Sequence, residues 1–121
     1  MAAGAATIEL TPEEAAERIE RGDVSVVDVR TEEEHGAGHI AGDRLIPFDD
    51  LPARGAEIDS SRPVIFYCRS GERSGAAAEA FRASGREAAS IGGGLLAWAE
   101  HGLPLDPQGG EVAHRSNLPG R

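Results

Sequence analysis

Lysine is absent from this chain of 121 residues; all 12 basic residues are arginine. Schiff-base catalysis and lysine-based phosphate binding are thereby excluded. Cysteine is almost as scarce. Cys68 stands alone, so no internal disulfide can form, and no Cys/His cluster has the spacing of zinc ligands. Such usage fits a reducing compartment. Long apolar runs are missing as well: nothing approaches the ~18 consecutive apolar residues of a membrane span. The opening MAAGAATIEL lacks the basic region and sustained apolar core of a secretory signal, so a cytoplasmic location is expected. A formal net charge of −9 disfavours nucleic acid or an anionic membrane as partner. No internal repeat is visible. The length suits one domain that buries a core without disulfide or metal, expected to work as a monomer without a cofactor.

What is present alternates between strand and helix signals. Thr7 to Leu10 reads as a short edge strand. TPEEAAERIERG follows, a helix with its start and stop both written in: Thr11 as N-cap, Pro12 at the first position, Glu14 completing a capping box, Gly22 at the end. Val24 to Val29 is β-branched and short, as a buried strand is. Arg44 to Pro47 gives a weaker strand. Pro63 to Tyr67 gives the strongest, apolar throughout like a central parallel strand. Ser74 to Ser84 reads as a helix closed by Gly85, Glu87 to Ile91 as a strand, and Leu95 to His101 as a last helix carrying Trp98. This alternation predicts an α/β domain with a mainly parallel sheet flanked by helices.

Cys68 ends the strongest strand, and the helix beginning near Ser74 follows it. In an open parallel sheet, ligands bind beyond the carboxyl ends of the strands. The segment CRSGER would present backbone N–H groups at a helix start, an array that attracts anions and favours a thiolate. Arg69 and Arg73 add positive charge, Glu72 opposes it unless it points away, and Gly71 permits a turn that a Cβ would obstruct. Ser70 and Ser74 offer hydroxyls, with helix capping an equally natural role for Ser74. A lone cysteine at a strand end is commonly no more than a small buried hydrophobe, and two arginines are commonly surface charges. Strand, Cys, Gly, paired Arg and helix in this order favour a nucleophile in an anion-binding loop.

Four stretches together resemble the rhodanese family of single-domain sulfurtransferases: ELTPEEAAERI, VVDVRTEEEHGAGHIAGDRLIPF, VIFYCRSGERS and SIGGGLLAWAEHGLPL. The resemblance covers Thr7 to Leu105. It implies a rhodanese-like three-layer domain with a five-stranded sheet, spanning residues 7–105 between a flexible N-terminus (1–6) and a flexible polar tail (106–121). It also implies a persulfide-forming Cys68 in the six-residue loop Cys68 to Arg73. Arg69, Ser70, Gly71, Glu72, Arg73 and Ser74 would bind the substrate, with Asp28 and Arg30 in a supporting role near that face. The implied donor is a small sulfur anion such as thiosulfate, and the acceptor cyanide, a thiol or a sulfur-accepting protein. One position departs from the family pattern. Asp43 replaces the usual small residue and needs a hydrogen-bond partner if buried, with Arg44 and His39 as candidates. His39 itself reads as a structural turn residue, not half of a Cys/His dyad.

Two rivals remain. Cys-dependent phosphatases and arsenate reductases enclose a tetrahedral oxyanion with Cys-x5-Arg, whereas Cys68 to Arg73 is Cys-x4-Arg, a tighter loop better suited to one sulfur. A rhodanese-like binding or regulatory module commonly lacks the loop cysteine, which this chain keeps; the version of that reading that survives is a sulfur-relay protein whose persulfide serves a protein partner.

Overall fold

The computed structural model describes residues 8–113. The expected flexible stretch 1–6 and the end of the expected tail, 114–121, lie outside the described residues. The elements run β1 (Glu9–Leu10), α1 (Pro12–Arg21), β2 (Ser25–Asp28), α2 (Glu32–Ala37), β3 (Arg44–Leu45), α3 (Leu51–Arg54), β4 (Val64–Tyr67), α4 (Glu72–Ala83), β5 (Ala88–Ile91) and α5 (Gly94–Glu100).

Local chemistry accounts for the helix starts. Thr11 Oγ1 accepts from the Glu14 N–H at 3.1 Å, and the Glu14 carboxylate accepts from the Thr11 N–H at 2.9 Å. This is the capping box expected from the sequence, and Gly22 closes the helix in the left-handed conformation at φ 77°. The same device opens α2, where Thr31 and Glu34 cap one another. That helix was not anticipated, because its acidic run carries no apolar stripe and its one buried residue is Glu34. A short helix, α3, also fills the segment between β3 and β4, for which no element was expected. The helix expected from Ser74 begins two residues earlier, at Glu72.

All strand pairs are parallel, in the order β1-β5-β4-β2-β3. Strand β4 is therefore central, and all four of its side chains are buried. Alternation along it feeds two cores. Val64, Phe66 and Cys68 face a cluster with Val27, Ile46, Ala77 and Ala78, while Ile65 and Tyr67 face Ala15, Ile91, Leu95 and Trp98. Helices α3 and α4 thus cover one face, and α1 and α5 the other: three layers. Each large apolar side chain so buried contributes roughly 1.5–3 kcal/mol. Among the described residues, no helix is long and apolar enough to cross a membrane.

Residues 106–113, assigned to a flexible tail on composition, run back along the domain through specific contacts. His39 and Asp106 exchange backbone hydrogen bonds at 3.0 and 2.7 Å, and the Glu111 N–H donates to the Ala37 carbonyl at 2.9 Å. Val112 packs against the second core. Gly38 makes this approach possible, since a Cβ there would lie 2.4 Å from the Glu111 carbonyl oxygen.

Candidate active site

Cys68 stands one residue past β4, and its side chain turns into the space at the start of α4. Only 1% of the residue is exposed. The Gly71 N–H donates to Sγ at 3.1 Å, the Ser74 N–H points to it at 3.4 Å, and Ser74 Oγ lies 3.4 Å away. Amides at the N-terminus of a 12-residue helix therefore converge on one sulfur. They and the helix dipole stabilise negative charge there. Gly71, the residue before α4, sits at φ 111°, a conformation in which a side chain is strained.

The other wall comes from the start of α5. Its Leu95 and Leu96 N–H groups donate to the Cys68 and Arg69 carbonyls at 2.8 and 3.0 Å. Gly94 lies beneath these carbonyls at φ 61°, where an added Cβ would meet the Arg69 oxygen at 2.5 Å. The Gly-rich segment of the sequence is thus a close-approach surface for the loop backbone. Two helix starts hold the loop, one through sulfur and one through carbonyls.

The two loop arginines differ. Arg73 faces the buried carboxylate of Glu34 at 3.4 and 3.5 Å. Burial alone would discourage ionisation of Glu34. The Thr31 N–H and Arg73 outweigh it, and hold the carboxyl below its ordinary range. Arg69 has no carboxylate partner among the described residues. Its Nε donates to the Ala113 carbonyl at 3.2 Å, leaving its terminal nitrogens for another acceptor. Both arginines were expected to bind an anion; among the described residues Arg73 already faces a carboxylate and Arg69 does not. Glu72 turns aside. Its carboxylate accepts the Ser70 hydroxyl, and that bond with its own backbone N–H lowers its pKa.

Asp28 and Arg30 form a supporting pair away from the sulfur. The guanidinium makes two hydrogen bonds to the carboxylate, at 2.9 and 2.8 Å, and a third to the Gly38 carbonyl at 2.8 Å. It also lies over the Tyr67 ring, 5.5 Å from the centroid. Tyr67 precedes Cys68, so the pair braces the strand end that carries the cysteine. The Asp28 carboxylate binds His35 Nδ1 at 2.9 Å, and His35 stacks on His39 with centroids 3.8 Å apart.

Asp43 finds a partner, but neither of those foreseen. The Tyr67 hydroxyl donates to it at 2.6 Å, while Arg44 pairs with Glu57 and His39 Nδ1 lies 2.9 Å from the His35 carbonyl. His39, expected as a turn residue, bridges Asp106 just before the turn, and is not among the hydrogen-bond partners of Cys68. His35, His39 and Asp43 do place one ligand atom each within 4.8 Å of the others. Nδ1 of each ring is already engaged, that of His35 with the Asp28 carboxylate and that of His39 with the His35 carbonyl. This cluster is a hydrogen-bonded brace for the turn.

Sequence reading did not single out Glu34, Ser90 or Tyr67. Glu34 sits in a run of three glutamates that reads as solvated; its spacing from Thr31 was the available signal. Ser90, on β5, is 1% exposed and meets Ser74 Oγ at 2.8 Å.

A rhodanese-like domain model matches residues 11–101, spanning the loop and both supporting turns. This chain belongs to the rhodanese-like domain family. The chain is 40% identical over 84 residues to a sulfurtransferase of Allochromatium vinosum, covering 69% of this chain and 78% of that protein. It is 41% identical over 108 residues to an HTH-type transcriptional regulator of Mycobacterium tuberculosis, covering 87% of this chain but only 47% of the regulator. The chain thus spans about half the length of that relative. Among solved structures, a rhodanese-related protein from Thermoplasma volcanium superposes with a TM-score of 0.75 at 28% identity, over 80% of this chain and 95% of the other. The five-stranded rhodanese-like architecture and membership of a sulfurtransferase family are established on these grounds.

Proposed function

We propose that this rhodanese-like domain moves a sulfane sulfur from thiosulfate or a related anionic donor to a thiophilic acceptor through a persulfide on Cys68. The observation that carries the reading is the convergence of the Gly71 and Ser74 donors on Sγ. In the first step the Cys68 thiolate attacks the outer sulfur of the donor. The new S–S bond forms as the donor's own S–S bond breaks, and sulfite leaves with the electron pair. In the second step cyanide or a thiolate attacks the outer persulfide sulfur, and the electron pair of the broken bond returns to Cys68 as thiolate. Loop amides stabilise the charge on sulfur in both steps. Arg69 holds the anionic end of the donor, and the cycle uses no cofactor.

Two further readings have some support. Kinship to a transcriptional regulator favours a regulatory or relay role, in which a protein thiol takes the sulfur. A solved structure described as a possible tyrosine phosphatase, from Rhodopseudomonas palustris, matches with a TM-score of 0.71 at 28% identity. The short Cys68 to Arg73 spacing argues against that chemistry here.

The test compares wild type with Cys68→Ser for thiosulfate-to-cyanide transfer and phosphate-ester hydrolysis. Thiocyanate formation by wild type alone, with a one-sulfur mass adduct on Cys68 after thiosulfate, supports the reading. Equal thiocyanate from both proteins, or phosphatase activity exceeding sulfur transfer, overturns it.

A further inference from the structure

Ser90 is a polar side chain on an otherwise apolar face. It pairs in register with Phe66 across the β4–β5 ladder, among residues that face Ala77, Ala78 and Ala88. The residue is 1% exposed, and its hydroxyl has one hydrogen-bond partner among the described residues: Ser74 Oγ at 2.8 Å. Ser74 is fully buried. Its hydroxyl faces two acceptors at equal range, Cys68 Sγ at 3.4 Å and the Gly71 carbonyl at 3.4 Å.

Replacing both members of a buried hydrogen bond by apolar groups of the same shape can be nearly neutral, so packing alone gives little reason for this pair. At the sulfur the hydroxyls have a chemical consequence. Ser74 Oγ is the one partner of the Ser90 hydroxyl among the described residues, so a satisfied Ser90 proton is donated there. That donation occupies a Ser74 lone pair and polarises its O–H, strengthening the next bond in the chain. The Ser74 proton then chooses between a neutral carbonyl and the sulfur. Charge decides the choice when the sulfur is a thiolate, because bonds to ionised acceptors are about twice as strong.

We propose that Ser90 is a positioning residue for sulfur transfer: it donates to Ser74 and thereby directs the Ser74 hydroxyl onto Cys68 Sγ. The inference rests on the persulfide reading of Cys68. The step it serves most is consumption of the persulfide. There the acceptor attacks the outer sulfur, the S–S bond breaks, and the electron pair returns to Sγ just as the Ser74 proton meets it. The donor anion lies beyond this chain, so its binding is untouched.

The experiment is a double-mutant cycle of Ser74→Ala, Ser90→Ala and both together. It measures kcat and KM for sulfur transfer, the rate of Cys68 alkylation by the neutral reagent iodoacetamide, and thermal melting. Ser90→Ala lowers kcat and the alkylation rate about threefold to tenfold, the size of one weakened hydrogen bond, while kcat/KM for thiosulfate, which reports the first half-reaction alone, stays unchanged. In the Ser74→Ala background the same change has no further effect on rate. Ser90→Thr, which keeps the hydroxyl, retains the wild-type rate and serves as the reference if Ser90→Ala melts early. Unchanged kcat and alkylation in a folded Ser90→Ala protein overturn the proposal, even while Cys68 remains the sulfur carrier. Full additivity of the two substitutions overturns it as well, since Ser90 would then act independently of Ser74. Failure of the persulfide reading itself shows separately, as thiocyanate formation that survives Cys68→Ser.

Discussion

The Arg73 guanidinium reaches the sulfur loop already engaged, with its nitrogens 3.4 and 3.5 Å from the buried carboxylate of Glu34. Glu34 also completes the cap of α2 through Thr31, so one carboxylate ties the second helix to the Cys68 loop. The pair has a direction of dependence. Glu34 is fully buried and needs its cation, whereas Arg73 keeps partial access to solvent.

The first prediction concerns acid. Binding to Thr31 and Arg73 holds the Glu34 pKa below its ordinary value of 4.5. A carboxyl with a depressed folded pKa stabilises the fold above the unfolded value, and that stability is lost as pH falls through the folded one. Melting temperatures of wild type and Glu34→Gln should therefore differ at pH 7, with the difference shrinking as pH falls below 4.5. A constant difference across that range would show that shape, not charge, makes the contribution.

The loop arginines should separate kinetically. Arg69→Ala should raise KM for thiosulfate roughly tenfold or more, the range of one charge-assisted hydrogen bond, with kcat little changed. Arg73→Ala should mainly lower the melting temperature, because it strands the Glu34 charge. Steady-state kinetics and thermal denaturation on the two variants check this; a larger KM effect at Arg73 would reverse the assignment.

Backbone approach should matter as much as side chains. Gly94→Ala puts a Cβ 2.5 Å from the Arg69 carbonyl oxygen and 2.6 Å from that of Cys68, at a φ of 61° that resists side chains. The loop must move, and sulfur transfer should fall about a hundredfold, as small misplacements of reacting groups do. Gly22→Ala is the control, since a Cβ there meets nothing within 4 Å at a comparable φ of 77°. It should cost stability and leave activity intact. Equal activity losses would show that the clash at Gly94 is irrelevant.

Asp43 should behave oppositely to Glu34. Burial raises its pKa, which the Tyr67 hydrogen bond and His35 only partly offset. A carboxyl with a raised folded pKa is favoured in its protonated form by folding, so ionisation costs stability as pH rises through that value. Asp43→Asn keeps an acceptor for Tyr67 and removes the charge. It should raise the melting temperature at pH 7, with the gain shrinking as pH falls through the raised folded pKa towards 3.8. A lower melting temperature at neutral pH would show that the ionised form is required.

Much of the domain was legible because its signals are local. A capping box, a glycine at a helix end and an all-apolar run each act within a few residues, and Thr11, Gly22 and Val64–Tyr67 took the places read for them. So did Cys68, because strand, turn and helix start are consecutive in the chain. Helix α2 was missed although Thr31 and Glu34 repeat the motif of Thr11 and Glu14, since an acidic run reads as solvent-facing when no apolar stripe accompanies it.

What the chain order alone determined is an α/β sheet with a thiol set at the start of a helix. Tertiary structure decided which charges remain free around that thiol. Arg69 and Arg73 look alike in sequence. Only the packing of α2 against the loop gives one of them a buried carboxylate, and only the returning segment 106–113 sets a carbonyl beside the other. Ser90 and Ser74 are 16 residues apart on different elements, and the packing of α4 on β5 brings their hydroxyls to 2.8 Å. Local propensity cannot encode such meetings, because they depend on how distant elements pack.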